Sequence, residues 1–377
     1  MCGRSSERLR QPQLLLRRRI PSGRGAMEQP NVTGDGDAPL TVRFWVLLVI
    51  TGIGTGLFGV LMMLLFPPEY RAALTEVHHR YGPSEALLRA LGDDRVADIP
   101  EFTDLDVRRR LLDQAGITTQ VLSLSTPHVW HPEVAAREQL TRAFNDGCSS
   151  AYQGDTRLRF FATLPLPFVP EAITELDRAR TLPGYAGVAV PTHVDGIGWD
   201  EPRWTPLLEH LDRAGATVLV HPDGFCVRGP LEAYYLDWTV GAPFEDTLCA
   251  LKLVRSGAVD HFPGIRWIVP HLGGLVPMVL DRVDRLWALN KDKVGGDHPP
   301  SEGLRRLYYD TANSTEATLR LAVEVLGADR LVFGTDFPYV DRYDLRRPIH
   351  DVLAAVPGAA RVLAGSATLQ LERDERD

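Results

Sequence analysis

The chain has 377 residues, 44% of them hydrophobic and 24% charged, enough to bury a large core in one big domain or two small ones. Its net charge of −8 is uneven: residues 1–43 carry eight arginines against four acids, a local +4 that leaves −12 on the rest and excludes a nucleic-acid-binding body. Cys2, Cys148, Cys226 and Cys249 have no C-x-x-C spacing, which points to a reducing compartment and excludes a disulfide framework or a thiolate zinc site.

Residues 1–43 are rich in Arg, Gly, Pro and Ser and read as a disordered tail. Met27 offers an alternative start, and the arginines at 17–19 lack the apolar stretch of a secretion signal. Residues 44–66 hold no charge. As a helix they would extend roughly 34 Å, enough to cross a bilayer, and Gly52 and Gly56 give the G-x-x-x-G spacing of packed membrane helices. A buried strand of a soluble core is the other reading of this segment.

From residue 67 to 377 short apolar runs alternate with amphipathic stretches. Strands are predicted at 120–124, 160–164, 187–190, 217–220, 267–269, 307–309 and 331–333, and helices at 134–152, 170–180, 205–214, 243–256 and 315–326. Seven β/α units of this kind make most of a TIM-type (β/α)8 barrel, here preceded by an extra apolar helix and the tail. Closing the barrel needs an eighth strand, and 59–66 is the available segment. Using it leaves 44–58, about 22 Å as a helix and too short to span.

Several strand-sized runs deliver a polar residue at their carboxyl ends, where such barrels place their chemistry. His221 follows 217–220 in Leu-Val-His-Pro-Asp-Gly. As a neutral imidazole it would bind a divalent metal; as a structural residue it would cap a loop carbonyl. His271, in Val-Pro-His-Leu-Gly-Gly, reads as a metal ligand, an acid/base group or a loop histidine, with two glycines that let the backbone approach a ligand. Asp336, in Phe-Gly-Thr-Asp-Phe-Pro, reads as a metal-binding and proton-accepting carboxylate against an Asx turn. Asp310 reads as a supporting hydrogen-bonder and His193 as a rim residue without a role. His78 and His79 read as surface. Arg282, with Asp281, Asp284 and Arg285, reads from spacing alone as a solvated helix face.

These segments together resemble the amidohydrolase-2 family, the branch related to aminocarboxymuconate-semialdehyde decarboxylase. The resemblance rests on Phe-Pro-Pro-Glu-Tyr (66–70), Leu-Asp-Gln-Ala-Gly-Ile (112–117), Phe-Ala-Thr-Leu-Pro (161–165), Val-His-Pro (220–222), Trp-Thr-Val-Gly-Ala-Pro (238–243), Pro-His-Leu-Gly-Gly (270–274) and Phe-Gly-Thr-Asp-Phe-Pro (333–338). It implies a barrel that uses a divalent metal, usually zinc, to decarboxylate or hydrolyse small unsaturated or aromatic carboxylic acids. By position, His221 and Asp336 match metal ligands, with Asp336 also catalytic, and His271 matches the acid/base group. Arg282 matches an arginine that clamps a substrate carboxylate, in some relatives across a homodimer interface, and Tyr235 and Trp238 match pocket-lining residues.

The family's first strand carries Asp-x-His-x-His, and its two histidine positions fall here on Met62 and Leu64. Neither side chain replaces imidazole on a borderline cation, so the resemblance predicts an impaired zinc site. A second reading, from another class, is a non-catalytic barrel tethered to a membrane through 44–66 that binds a small acid. In both readings the barrel itself is cytoplasmic.

Overall fold

The structure is a computed structural model that describes residues 105–364, apart from 125–127, 130, 154–156, 224–230, 232–233, 235 and 340–343. The expectations for the tail at 1–43, for the apolar run at 44–66 and for Met62, Leu64 and Tyr235 lie outside these residues. Among the described residues no helix is long and apolar enough to cross a membrane.

Seven strands form one parallel sheet in chain order: β1 (Gln120–Leu122), β2 (Leu158–Ala162), β3 (Tyr185–Pro191), β6 (Thr217–His221), β7 (Arg266–Val269), β8 (Tyr308–Asp310) and β9 (Leu331–Val332). A small antiparallel hairpin, β4 (His193–Val194) and β5 (Ile197–Gly198), follows β3. The sequence pattern gave no hint of it, because two-residue strands have no period to read.

The principal helices are α1 (Leu105–Ala115), α2 (Val134–Tyr152), α3 (Val169–Ala179), α4 (Thr205–Arg213), α5 (Ala242–Arg255), α6 (Val276–Leu289), α7 (Glu316–Leu326) and α8 (Arg346–Ala355). Each parallel strand is thus followed by a helix before the next parallel strand, as a sheet of parallel neighbours requires. The chain's own signals set several boundaries. Pro170, Pro206, Pro243 and Pro277 stand in the first turns of α3, α4, α5 and α6, where a missing N–H costs nothing. Thr315 and Thr318 form a reciprocal capping box at the start of α7.

The alternation of side chains along the strands creates two cores. Phe160, Val218, Val220, Trp267, Val269 and Tyr309 face the helix layer and join the large cluster. Phe161, Ala189, Leu219, Ile268 and Val332 form a separate, smaller cluster inside the curl of the sheet. Period two then fixes the aim of the residues that follow. His221 lies two after inward Leu219, and Asp310 two after Tyr308, which packs on the inner cluster. Both therefore point to the interior at the carboxyl ends of their strands. Among the described residues, β1 and β9 remain the two edges of the sheet.

Candidate active site

His221, His271 and Asp336 converge at the carboxyl ends of β6, β7 and β9. Ligand-type atoms of the three all lie within 4.8 Å of one another, a spacing that small side-chain shifts would close around one cation at ~2 Å from each. The His221 and His271 rings sit edge to face with centroids 5.9 Å apart.

The nitrogen roles follow from the partners. His221 Nδ1 lies 2.9 Å from the Pro222 carbonyl, which can only accept, so Nδ1 carries the proton and Nε2 keeps its lone pair. His271 Nδ1 lies 2.9 Å from the carboxylate Oδ2 of Asp246, which leaves Nε2 facing Asp336 Oδ2 at 3.8 Å. His221 Nε2 and the Asp336 carboxylate are donors that suit a divalent cation, with His271 Nε2 beside them and each histidine oriented from its far side.

Strain marks the site. His271, Leu272 and Asp336 have φ of 54°, 56° and 54°, the left-handed region that such residues seldom occupy. Hydrogen bonds hold them there. Asp310 Oδ1 accepts from the His271 main-chain N–H at 2.8 Å and from the Ala312 N–H at 3.0 Å. Asn313 Nδ2 donates to Asp336 Oδ2 at 3.1 Å. Asp310 is thus the supporting residue its position implied. The glycines after His271 serve a different end from the expected approach to a ligand. A Cβ on Gly274 would lie 1.9 Å from the Pro243 carbonyl oxygen, and one on Gly273 would strike the Tyr309 ring, so they let the loop pack against α5 and β8.

The electrostatics separate the two histidines. Burial, helped by the neighbouring His271, lowers His221 to about 4 and keeps it neutral. Burial also works against a charged His271, but attraction and hydrogen bonds from Asp246 and Asp336 outweigh it, and its pKa is raised well above the ordinary value. Asp336 shows the counterpart: burial opposes ionisation, yet His271, His221 and Asn313 hold it below the ordinary carboxylate range. Asp246 is fully buried, and burial lifts it to about 6 despite the attraction of His271.

Asp246 has no precedent in the sequence reading. Its signal was weak: an acid inside the apolar stripe of a helix, sharing the buried face with Ala242, Cys249, Ala250 and Leu253. His128, after β1, is another residue that the sequence did not single out. Its ring meets His221 edge to face with centroids 6.3 Å apart.

The remaining expectations divide. Arg282 lies on the exposed face of α6, away from the cavity at the site. Trp238 is half-buried in the π-helical turn Asp237–Gly241 that leads into α5, and it too lies outside that cavity's lining. The cavity measures about 490 Å³. His221, His271 and Asp336 line it together with Phe161, Leu219 and Ile268 of the inner cluster and with segments at β1 and β9. Its size suits one small organic molecule.

Residues 77–366 match the amidohydrolase family. The chain is 26% identical to a 2-amino-3-carboxymuconate-6-semialdehyde decarboxylase of Dictyostelium discoideum, over 63% of this chain and 67% of the relative. It is 31% identical to a gamma-resorcylate decarboxylase of Rhodococcus jostii, over 62% of this chain and 77% of the relative. The fold matches that of a dihydroxybenzoic acid decarboxylase from Polaromonas sp. JS666, solved with manganese and the inhibitor 2-nitroresorcinol. The TM-score is 0.63 at 24% identity, over 77% of this chain and 94% of that one.

Proposed function

The chain belongs to the amidohydrolase family, and on that premise we propose that it is a metal-dependent carboxy-lyase acting on a small aromatic or unsaturated carboxylic acid. The observation that carries the proposal is the meeting of His221, His271 and Asp336 at one cavity, with His271 held from behind by buried Asp246. Relatives that decarboxylate resorcylate and aminocarboxymuconate semialdehyde support the reaction class. The manganese of the structural neighbour supports a divalent cation, with zinc or manganese both suited to this donor set.

His221 and Asp336 would hold the cation, with His271 Nε2 within reach of it. Bound there, the cation would supply positive charge to fix and polarise the substrate carboxylate. The protein's share of the chemistry falls to His271. Its Nδ1 faces the buried Asp246 carboxylate, which favours the protonated imidazole and aims its Nε2 toward the site as the proton donor. Proton transfer from Nε2 to the carbon that bears the carboxylate places positive charge on the substrate. The bond to the carboxylate carbon then breaks, its electron pair returns to the ring or double bond, and carbon dioxide leaves. A proton from solvent then returns His271 to the imidazolium form, which the Asp246 carboxylate stabilises before each transfer.

Arg282 is proposed to reach substrate only in a homodimer, on the partner's site. On α6, Met278, Leu286 and Leu289 are 73%, 46% and 80% exposed, and helical spacing puts them on the same face as Arg282. An apolar stripe around an arginine supports a second copy packing there.

The test is carbon dioxide release from a panel of hydroxybenzoates and unsaturated acids by protein reconstituted with manganese or zinc. Expected is metal-dependent turnover of at least one acid, reduced at least a hundredfold by His271→Ala. Hydrolysis of esters or amides without any decarboxylation would refute the assignment.

A further inference from the structure

Glu245, one residue before Asp246 on α5, is a buried acid that the proposed chemistry does not use. Its Oε2 accepts from the Asp223 N–H at 2.8 Å and from Thr192 Oγ1 at 2.9 Å. Both donors belong to segments that hold His221. The Thr192 N–H donates to the His221 carbonyl at 2.9 Å, which carries the pairing of β3 with β6 one residue further. The Asp223 N–H belongs to the peptide group that follows Pro222. The carbonyl of that same group accepts from His221 Nδ1 at 2.9 Å.

The order of these bonds is what matters. A peptide group in its usual trans form points its N–H and its C=O in opposite directions. The line therefore runs from the Glu245 carboxylate through the Asp223 N–H and the Pro222 carbonyl to His221 Nδ1–H, and it ends on the Nε2 lone pair. Bonds in such a line polarise one another. A carboxylate on the N–H makes the carbonyl a stronger acceptor. That holds the proton on Nδ1, fixes the ring and makes Nε2 a better donor to a cation.

We propose that Glu245 is a positioning residue for His221, acting through the peptide between Pro222 and Asp223. The inference rests on the reading of His221 as a metal ligand and extends it to the group that sets the ring's tautomer and donor strength. A ligating histidine is commonly backed on its second nitrogen by a carboxylate or a carbonyl. Here the two stand in series. Asp246 Oδ2 backs His271 Nδ1 directly, so two consecutive acids of one helical turn serve both histidines of the site.

The competing account is that Glu245 only satisfies two buried donors. A neutral acceptor would do that without burying a charge, which is costly. The cost is offset where the negative charge is relayed to a group that binds a cation.

The experiment uses the full chain. Metal-free protein is titrated with manganese by calorimetry, and melting temperatures identify the folded variants. In the metal-free protein the His221 tautomer is read by nitrogen NMR of histidine-labelled samples, its signals assigned from their loss in His221→Asn. Wild type should hold the proton on Nδ1. Glu245→Met, similar in length but without the acceptor, should weaken manganese binding by about 10- to 100-fold and shift His221 toward the Nε2–H tautomer. Glu245→Gln keeps an accepting oxygen and loses the charge. It should bind manganese with an affinity between those of wild type and Glu245→Met, and keep the Nδ1–H tautomer. A folded Glu245→Met with wild-type affinity overturns the proposal. So does a loss of affinity with the tautomer unmoved, which would make Glu245 a structural prop. If only Glu245→Gln folds, wild-type affinity in that variant overturns it. A wild type that takes up no manganese overturns the metal reading itself and the relay with it, an outcome distinct from variants that match a loaded wild type.

Discussion

Replacing Asp246 by Asn tests whether this buried carboxylate exists for catalysis or for the fold. The substitution preserves shape and removes one charge 2.9 Å from His271 Nδ1. A hydrogen bond to a charged group contributes about 1.5–3 kcal/mol, so kcat at neutral pH should fall roughly 10- to 150-fold if the reaction starts from the His271 imidazolium that Asp246 holds. Stability should respond differently. Burial lifts Asp246 to about 6 from an ordinary value near 3.8. A carboxyl whose folded pKa lies above its unfolded one lowers stability progressively as pH rises through that window. At pH 7 the penalty reaches at most ~3 kcal/mol, and the His271 gain, opposite in sign and belonging to the same pair, offsets part of it. Asp246→Asn removes penalty and gain together. Asp246 Oδ1 has no hydrogen-bond partner among the described residues, so the new amide NH2 replaces one unsatisfied atom with another. The melting temperature should therefore shift by only a few degrees in either direction. The alkaline limb of the kcat–pH profile should move to lower pH, because Asp246 heads the interactions that keep His271 protonated. Turnover by metal-loaded enzyme and scanning calorimetry are the assays. A kcat within threefold of wild type, or a loss of activity matched by a large fall in melting temperature with the pH limb unmoved, would refute the reasoning.

His221→Ala should abolish stoichiometric manganese or zinc binding, read by elemental analysis, while the paired Met62→His and Leu64→His changes should raise zinc occupancy above that of the natural chain. Gly274→Ala should destabilise by about 2–4 kcal/mol in urea unfolding, since the new Cβ meets the Pro243 carbonyl at 1.9 Å and the backbone there has φ of 62°. In metal-stripped protein, His128 and His221 titrate near 3 and 4 when folded and near 6.5 when unfolded, so stability is full above about pH 6.5 and falls as pH drops through that window. His128→Gln should flatten that fall between pH 6.5 and 4 in urea titrations, and an unchanged slope would show that His128 takes up its proton in the folded state.

The parts of this molecule that were legible in the sequence are those where local chemistry and tertiary role agree. Residues 217–220 (Thr-Val-Leu-Val) are mostly apolar and rich in β-branched side chains, flanked by Gly215 and Pro222, and they form β6 with His221 as its last residue. The predicted helix at 134–152 is matched residue for residue. The meeting of His221, His271 and Asp336 was legible because strand ends in a parallel sheet must gather on one rim. Asp246 was not, because a charge within an amphipathic helix looks the same whether it faces water or a histidine on the next strand's loop. Arg282 shows the reverse case. Spacing alone made it a solvated residue, and in a single chain it is exposed. The substrate-clamping role proposed for it needs a partner subunit, and one chain's sequence does not display a partner.

The unpaired edges of β1 and β9 bear on how the site would work. An eighth parallel strand between them would satisfy both rows of backbone groups and cover the side of the cavity lined by those segments. We read residues 59–66 as the candidate for that position. On a strand, Met62 and Leu64 would share one face, because alternate residues do. If that face is the inner one, the cavity beside His221 and Asp336 gains a thioether and an alkyl group where the resemblance implies imidazoles. The cation would then be held by fewer protein atoms and more weakly. The same two side chains would exclude water from the wall facing His271. Proton transfer to a carbon atom gains from that dryness, since competing proton exchange with solvent is suppressed. With 59–66 in that position, weak metal binding and a well-sheltered proton donor would both follow from a single sequence feature. They predict an enzyme whose activity is limited by metal occupancy at low metal concentration and approaches that of its relatives when metal is saturating.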